Sequence, residues 1–239
     1  LYKFGKTTVY GLDNFDSNVF KNIITSNLYS GSVFSRSNIE TAKEAIQFVL
    51  GEKGYAFPIV QLNVDLKDDS ESVDITIRVD PKKKSFVRRI NIKGNTKTND
   101  EVYRRELRQF ESSIYSINKI ERSKIRLQRL KFINNVDVKK TIVDEENGFI
   151  DIDFLLDETQ SGEFKVGAGY SDSSGAIFNI KVQQDNFLGK GNNVSLEIEK
   201  SSYKKLLRYR NTDPYFTEDG ISKSTSLVLS ETDVSSTST

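Results

Sequence analysis

The chain has 239 residues, with 35 basic and 34 acidic side chains, and it contains no His, Cys, Met or Trp. Because His and Cys are absent, the chain lacks the side chains of most zinc sites, of thiol nucleophiles, of Ser-His-Asp triads and of disulfide frameworks. The balanced charge also argues against a general nucleic-acid-binding protein, so we expect no enzyme active site, no cofactor, no metal site and no nucleic-acid partner.

Two copies of one strand–helix–helix–strand–strand unit organise the first two thirds of the chain. Three segments recur in the same order, Val9–Gly11 as Ile92–Gly94, Val33–Ser35 as Ile114–Ser116, and Val73–Ile77 as Ile150–Phe154. Repetition of this kind indicates duplicated structural units. We therefore expect two small sheets, each with two helices on one face.

The first unit is predicted from its apolar periodicity. A strand is expected near 7–11, helices near 15–26 and 38–53, and strands near 58–66 and 72–80. No run in the chain approaches the roughly 18 apolar residues that a membrane helix requires.

The second unit begins with a strand over 86–93, which Gly94 and Asn95 terminate. Cap-type residues and early acidic residues predict a helix over 99–110, with Phe110 on its apolar face. A second helix is expected over 117–131. Two strands, around 136–138 and 150–154, follow and are joined by the acidic turn 144–148.

The last third, from about Gly162, alternates apolar and polar residues over segments of about 9–11 residues. Such alternation suits a soluble antiparallel sheet with one wet face, which is the commoner structure. The segment length favours a transmembrane β-barrel instead, because soluble strands average about 5–6 residues. Five strands are too few for a closed barrel, so we expect the native chain to continue beyond Thr239, and Leu1 is not expected to be its native start.

Two runs in this last third resemble the first barrel strands of the BamA family of outer-membrane protein assembly factors. They are Val182–Gly191, with the sequence VQQDNFLGKG, and Thr212–Gly220, with the sequence TDPYFTEDG. Upstream, Gly94-Asn95 followed by Arg104–Arg108 resembles the last POTRA (polypeptide-transport-associated) domain of that family. Gly51–Ala56 resembles the POTRA domain before it.

The resemblance extends from about Tyr2 to about Val234 and implies an α+β chain with three parts. Residues 1–84 would form the penultimate POTRA domain, and residues 85–158 the last, barrel-proximal one. Both would have the order β-α-α-β-β. Residues 159–239 would form the first five or so antiparallel strands of an incomplete transmembrane β-barrel. The implied location is the outer membrane, with the POTRA domains in the periplasm.

The family resemblance implies a non-enzymatic function, the folding and insertion of barrel proteins. An exposed strand edge would template an incoming strand through backbone hydrogen bonds. The candidate edge is the first barrel strand, whose residues are Glu163, Phe164, Lys165, Val166, Gly167, Ala168, Gly169 and Tyr170. Its glycines either let another backbone approach closely or accommodate curvature and inward packing. Unfolded outer-membrane proteins and outer-membrane lipid are the implied substrate and surroundings.

The resemblance also implies that periplasmic lipoprotein subunits dock on the last POTRA domain. On the predicted helix 99–110, Arg104, Arg108 and Glu111 follow one another at helical spacing, with Glu101 beside them. Glu111 is the first candidate for an ion pair with a partner Arg. The alternative is an ordinary solvated helix face.

Two further features have plain interpretations. The basic side chains Lys119, Arg122, Arg126 and Arg129 predict a solvated face on the second helix, because no aromatic residues are interleaved with them. Tyr215 and Phe216 are predicted to be interfacial aromatics at a strand end. Two other functions remain open at this point: a POTRA-barrel transporter of the two-partner secretion or translocation-and-assembly type, and a soluble periplasmic β-rich scaffold.

Overall fold

A computed structural model describes residues 2–67, 71–172 and 175–233. The end of the expected barrel segment, 234–239, therefore lies outside the described residues. The contacts between residues define two compact units. The first takes its described residues from 2–91, 108–123 and 139–153, and the second from 92–107, 124–138 and 154–233.

The first repeat is a three-stranded sheet with two helices. Its elements are β1 (Lys3–Tyr10), α1 (Ser17–Asn27), α2 (Arg36–Glu52), β2 (Ile59–Lys67) and β3 (Ser72–Asp80). The strand order is β1-β3-β2, with β1 parallel and β2 antiparallel to β3. All five predicted elements are present, although β1 begins four residues earlier than expected.

Local signals and apolar spacing explain these elements. The side chain of Asp16 caps α1 by accepting the backbone N–H of Asn18, and Ser35 caps α2 in the same way. The buried side chains of α2 recur at helical spacing, whereas those of β3 alternate with period two. They meet in one core formed by Phe4, Phe20, Leu28, Ile39, Ala42, Ile46, Leu50, Val60, Val73, Ile75, Ile77 and Val79.

The second repeat has the same β-α-α-β-β order with one short addition. Its elements are β4 (Phe86–Lys93), α3 (Asp100–Arg104), β5 (Ser113–Ile114), α4 (Ile117–Gln128), β6 (Ile133–Asp144) and β7 (Phe149–Glu158). The sheet order is β5-β4-β7-β6. Across the described ranges, no helix is long and apolar enough to cross a membrane.

Equivalent glycines follow the first strand of each repeat. Gly11 has a φ of 89° and Gly94 a φ of 92°. A Cβ on Gly11 would lie 2.0 Å from the carbonyl oxygen of Val79, and one on Gly94 would lie 2.1 Å from that of Leu156. Both positions therefore require glycine for the backbone angle and for the close approach.

The prediction of a helix over 99–110 is wrong, because α3 ends at Arg104. Beyond Arg104, polar side chains form hydrogen bonds with the backbone N–H and C=O groups. Ser123 accepts the N–H of Arg108 at 2.8 Å, and the buried Gln109 accepts the N–H of Ser116 at 2.9 Å while its amide donates to the carbonyl of Ile114 at 3.0 Å. These bonds favour a turn over a continued helix. Phe110, expected on the apolar face, is consequently 64% exposed.

The last third forms a five-stranded antiparallel sheet of consecutive strands. The strands are β8 (Gly162–Ser171), β9 (Gly175–Phe187), β10 (Asn192–Lys200), β11 (Lys204–Asp213) and β12 (Lys223–Thr232), in the order β12-β11-β10-β9-β8. Four of these strands are 9–10 residues long, which confirms the predicted length, and β9 is longer, with 13 residues.

One face of this sheet is a continuous apolar surface. Residues that are direct partners across strands share a face. Two apolar rows therefore run across all five strands, Phe164, Val182, Leu196, Tyr209 and Leu227 in one, and Val166, Ile180, Ile198, Leu207 and Leu229 in the next. All ten of these side chains are exposed. An exposed apolar face of this extent suits contact with lipid rather than with water.

Candidate functional site

The predicted edge strand, β8, lies at one end of the five-stranded sheet. It pairs with β9 from Gly162, opposite Gln184, to Ser171, opposite Gly175. Within the described ranges no strand pairs with its other edge. All of the residues 163–170 are exposed, so the backbone of that free edge is accessible along the strand.

The two glycines of β8 face open space on the described part of the chain. A Cβ on Gly167 would meet only the Cβ of Asn179, at 4.0 Å, and one on Gly169 would meet nothing within 4 Å. On the same face, Lys165 and Glu163 form an ion pair at 2.8 Å. Among the described residues, then, no inward packing accounts for these glycines.

The four predicted partner-binding residues do not share a helical face, because α3 is too short. Glu101 and Arg104 lie in α3, where Arg104 pairs with Asp100 one turn before it. Glu111 lies beyond the helix and is exposed, and its carboxylate accepts the backbone N–H of Ile90 at 2.7 Å. Arg108, half-buried, donates its backbone N–H to Ser123.

The turn after β11 is held by a cluster of charged side chains that the sequence did not predict. The hydroxyl of Tyr215 accepts a hydrogen bond from Arg126 at 2.8 Å, and Arg126 forms an ion pair with Glu106 at 2.6 Å. The guanidinium of Arg105 lies over the Tyr215 ring, 4.4 Å from its centroid. Glu106 is only 6% exposed. Burial of one charged partner makes such a pair costly to break.

This arrangement corrects two sequence predictions. Arg126 was expected on a solvated basic face, but it is half-buried against Glu106 and Tyr215. Tyr215 was expected to be an interfacial aromatic, but both its ring and its hydroxyl contact charged side chains of the second repeat. The run Thr212–Gly220 was found by family resemblance, but its sequence does not specify which distant residues contact it.

The turn between β9 and β10 docks on the loop 96–99. The carbonyl of Gly189 accepts the backbone N–H of Asn99 at 3.0 Å, and Asn186 donates to the hydroxyl of the buried Thr98 at 2.7 Å. A Cβ on Gly189 would lie 2.3 Å from the carbonyl oxygen of Lys97, so only glycine permits this approach. We call residues 96–106 together with Arg126 the seat.

Glu158, the last residue of β7, holds the seat loop in shape. Its carboxylate accepts backbone N–H groups from Thr96, Lys97 and Thr98 at 2.8–3.1 Å, and the hydroxyl of Tyr103 at 2.6 Å. Partial burial opposes ionisation, but the hydrogen bonds from Thr98, Tyr103, Lys97 and Thr96 outweigh it and lower the pKa of Glu158 to about 2. The seat is therefore shaped by an ionised carboxylate at neutral pH.

The chain matches one family model over most of its length. The family, described as "POTRA: Surface antigen variable number repeat", matches residues 2–82 and 85–159. Solved structures extend the likeness to the last third. The crystal structure of BamA from Haemophilus ducreyi lacking POTRA domains 1-3 has a TM-score of 0.82 and 27% identity, covering 98% of this chain and 44% of that one. The crystal structure of Haemophilus influenzae BamA POTRA3-5 has a TM-score of 0.62 and 29% identity, and the match covers 66% of this chain and 61% of that one.

Two curated relatives are outer membrane protein assembly factors named BamA. The one from Neisseria meningitidis serogroup B is 33% identical over 192 residues, 80% of this chain and 24% of that protein. The one from Buchnera aphidicola is 30% identical over 213 residues, which are 87% of this chain and 34% of that protein. The chain thus spans about a quarter to a third of the length of these relatives.

The comparisons confirm the α+β fold and the kind of protein. The five-stranded sheet resembles the start of the BamA barrel. Members of this group are located in the outer membrane, with their POTRA domains in the periplasm. The chain belongs to the POTRA family, and it has two POTRA domains followed by strands that resemble the start of the BamA barrel.

Proposed function

We propose that the protein assembles β-barrel proteins into the outer membrane by offering the free edge of β8 to an incoming strand. The observation that carries the proposal is that edge, accessible over residues 163–170 in a sheet with an apolar face. The relatives named BamA are outer membrane protein assembly factors, which supports the same function.

The driving force is the cost of unpaired backbone groups in lipid. A backbone N–H or C=O without a partner in a bilayer costs several kcal/mol. An incoming strand satisfies its own groups and those of β8 at once, so pairing is favoured without reading the sequence of the substrate. The open space at Gly167 and Gly169 leaves room on the polar face for the side chains of that strand. The work is done by binding, and no chemical step is needed.

Accessory periplasmic lipoproteins are proposed to dock on the second POTRA domain around Glu101, Arg104, Arg108 and Glu111. The short α3 and the turn after it present Glu101, Arg104 and Glu111 at the surface, as charged groups suited to ion pairs across a polar interface rim. Unfolded outer-membrane proteins are the proposed substrates, and sheet edges of the POTRA domains are proposed to hold them loosely.

Site-specific crosslinking tests the edge proposal. The chain has no native Cys, so a single introduced Cys has no background. Phe164→Cys, on the edge strand, should form a disulfide with a Cys in an edge strand of a barrel substrate arrested during assembly. Leu196→Cys is the matched control, because it lies in the same apolar row but on β10, which is paired on both sides. Equal crosslinking from both positions would refute edge templating.

A further inference from the structure

We propose that Tyr215 is a positioning residue that fixes the periplasmic end of the barrel sheet on the seat and so places the free edge of β8. The inference rests on the proposed function, because it concerns how that edge is presented. Tyr215 lies in the turn after β11 and does not belong to the edge strand. It acts through the seat and the strand ladder.

Two turns at the same end of the sheet contact the seat through different chemistry. The turn after β9 is held by backbone and amide hydrogen bonds to Thr98 and Asn99. The turn after β11 is held by Tyr215, whose ring and hydroxyl contact Arg105 and Arg126. The guanidinium over the aromatic ring and the charge-assisted hydrogen bond to the hydroxyl together restrict movement of the turn along the seat and away from it.

The same end of the sheet contains the start of β8. Consecutive antiparallel strands place the start of β8, the end of β9 and the end of β11 together. Ser161, one residue before β8, is tied to Asp185 near the end of β9 by two hydrogen bonds. Thr159 donates its backbone N–H to the carbonyl of Phe132 at 3.0 Å. The ladder from β11 to β8 therefore transmits the position of Tyr215 to the edge strand.

The seat itself is rigid enough to serve as a reference. Five donors converge on Glu158 and fix the loop 96–98, and the buried Glu106 fixes Arg126. A position defined by buried groups that are held by several hydrogen bonds and an ion pair is well specified. Phe216, the neighbouring aromatic, is exposed and lies 4.3 Å from the amine of Lys223, so it takes no part in the seat contact described here.

The test measures position and activity separately in the whole protein. Spin labels at Arg129→Cys, beside the seat, and at Lys200→Cys, at the far end of β10, report the distance distribution between seat and sheet in lipid. Tyr215→Ala should broaden that distribution. It should also lower the initial rate of barrel-substrate assembly roughly tenfold, as expected if the aligned edge is then populated about a tenth of the time. Phe216→Ala is the matched control and should change neither quantity.

A reversible disulfide between the seat and the neighbouring turn, called the staple, tests whether the assembly rate of Tyr215→Ala can be restored. Thr98→Cys with Asn186→Cys replaces the hydrogen bond of the neighbouring turn by a disulfide, in a chain without other Cys. In the Tyr215→Ala background without spin labels, the oxidised staple should restore the assembly rate, and reduction should remove the gain. A merely destabilised fold would not be switched in this way.

Three outcomes overturn the inference. They are an unchanged distance distribution in Tyr215→Ala, a broadened distribution with the original assembly rate, and a staple that forms without restoring the rate. Crosslinking from Phe164→Cys distinguishes these from failure of the proposed function. If β8 crosslinks to substrate in the unmodified background, edge templating stands even where Tyr215 proves dispensable.

Discussion

The carboxylate of Glu111 accepts the backbone N–H of Ile90 at 2.7 Å, which ties the segment after α3 to strand β4. Glu111 is thus both a candidate partner-binding residue and a structural hydrogen-bond acceptor. A charge reversal there removes both properties together, so loss of binding by Glu111→Lys alone does not identify the cause.

Glu111→Gln separates the two roles. Its side-chain oxygen still accepts from Ile90, but its charge is gone, so the free energy of unfolding should change by less than about 1 kcal/mol. Co-purification with the periplasmic lipoprotein should nevertheless fall, as is also expected for Glu111→Lys. Glu111→Lys should in addition lose about 1–3 kcal/mol, because it leaves the Ile90 amide without this acceptor. Undiminished co-purification with Glu111→Gln would remove this residue from the proposed docking surface.

The way Glu111 is held also illustrates what sequence patterns miss. Apolar spacing predicted both repeats, because buried residues such as Ile77 and Phe154 alternate along a strand without exception. The prediction of a helix over 99–110 failed because the side chains of Gln109 and Ser123 accept backbone N–H groups there. Such polar side chains show no periodic pattern in the sequence from which these bonds could be recognised. The edge strand was found through alternation and family resemblance.

The seat was missed for a related reason. Arg126 and Glu106 lie 20 positions apart, and Tyr215 lies a further 89 positions along the chain from Arg126. Each of these residue types is ordinarily exposed, at least in part, at a protein surface. Nothing in the single sequence distinguishes them from solvated residues until the fold brings them together.

Gly94→Ala should destabilise the second POTRA domain. The φ of 92° alone costs a non-glycine residue about 1–3 kcal/mol, and the added Cβ would also collide with the carbonyl oxygen of Leu156. Gly31→Ala is the matched control, because Gly31 has a similar φ of 89° but nothing within 4 Å of its Cβ position. Urea unfolding should show a clearly larger loss for Gly94→Ala. Equal losses would mean that the close approach contributes nothing.

Glu158 should make stability depend on pH in the acid range. Its pKa is lowered in the folded state from 4.5 to about 2, so its contribution is complete above about pH 4.5 and disappears as the pH falls toward 2. After discounting for solvent screening, this contribution is about 1–2 kcal/mol. Glu158→Gln should lower the urea midpoint at pH 6 and have much less effect near pH 2. The exposed Glu218→Gln serves as the control, and equal effects of Glu158→Gln at both pH values would contradict the assignment.

The register of crosslinks from β8 tests the central claim most directly. If an incoming strand pairs antiparallel with the free edge, moving the introduced Cys from Phe164 to Val166 should shift the crosslinked substrate position by two residues in the opposite direction along the chain. The same shift should appear for Ala168→Cys, and no ordered series should arise from Leu196→Cys and Ile198→Cys on β10. A two-residue series confined to β8 is the result that the proposal predicts. Productive assembly with no ordered crosslinks to β8 would contradict it.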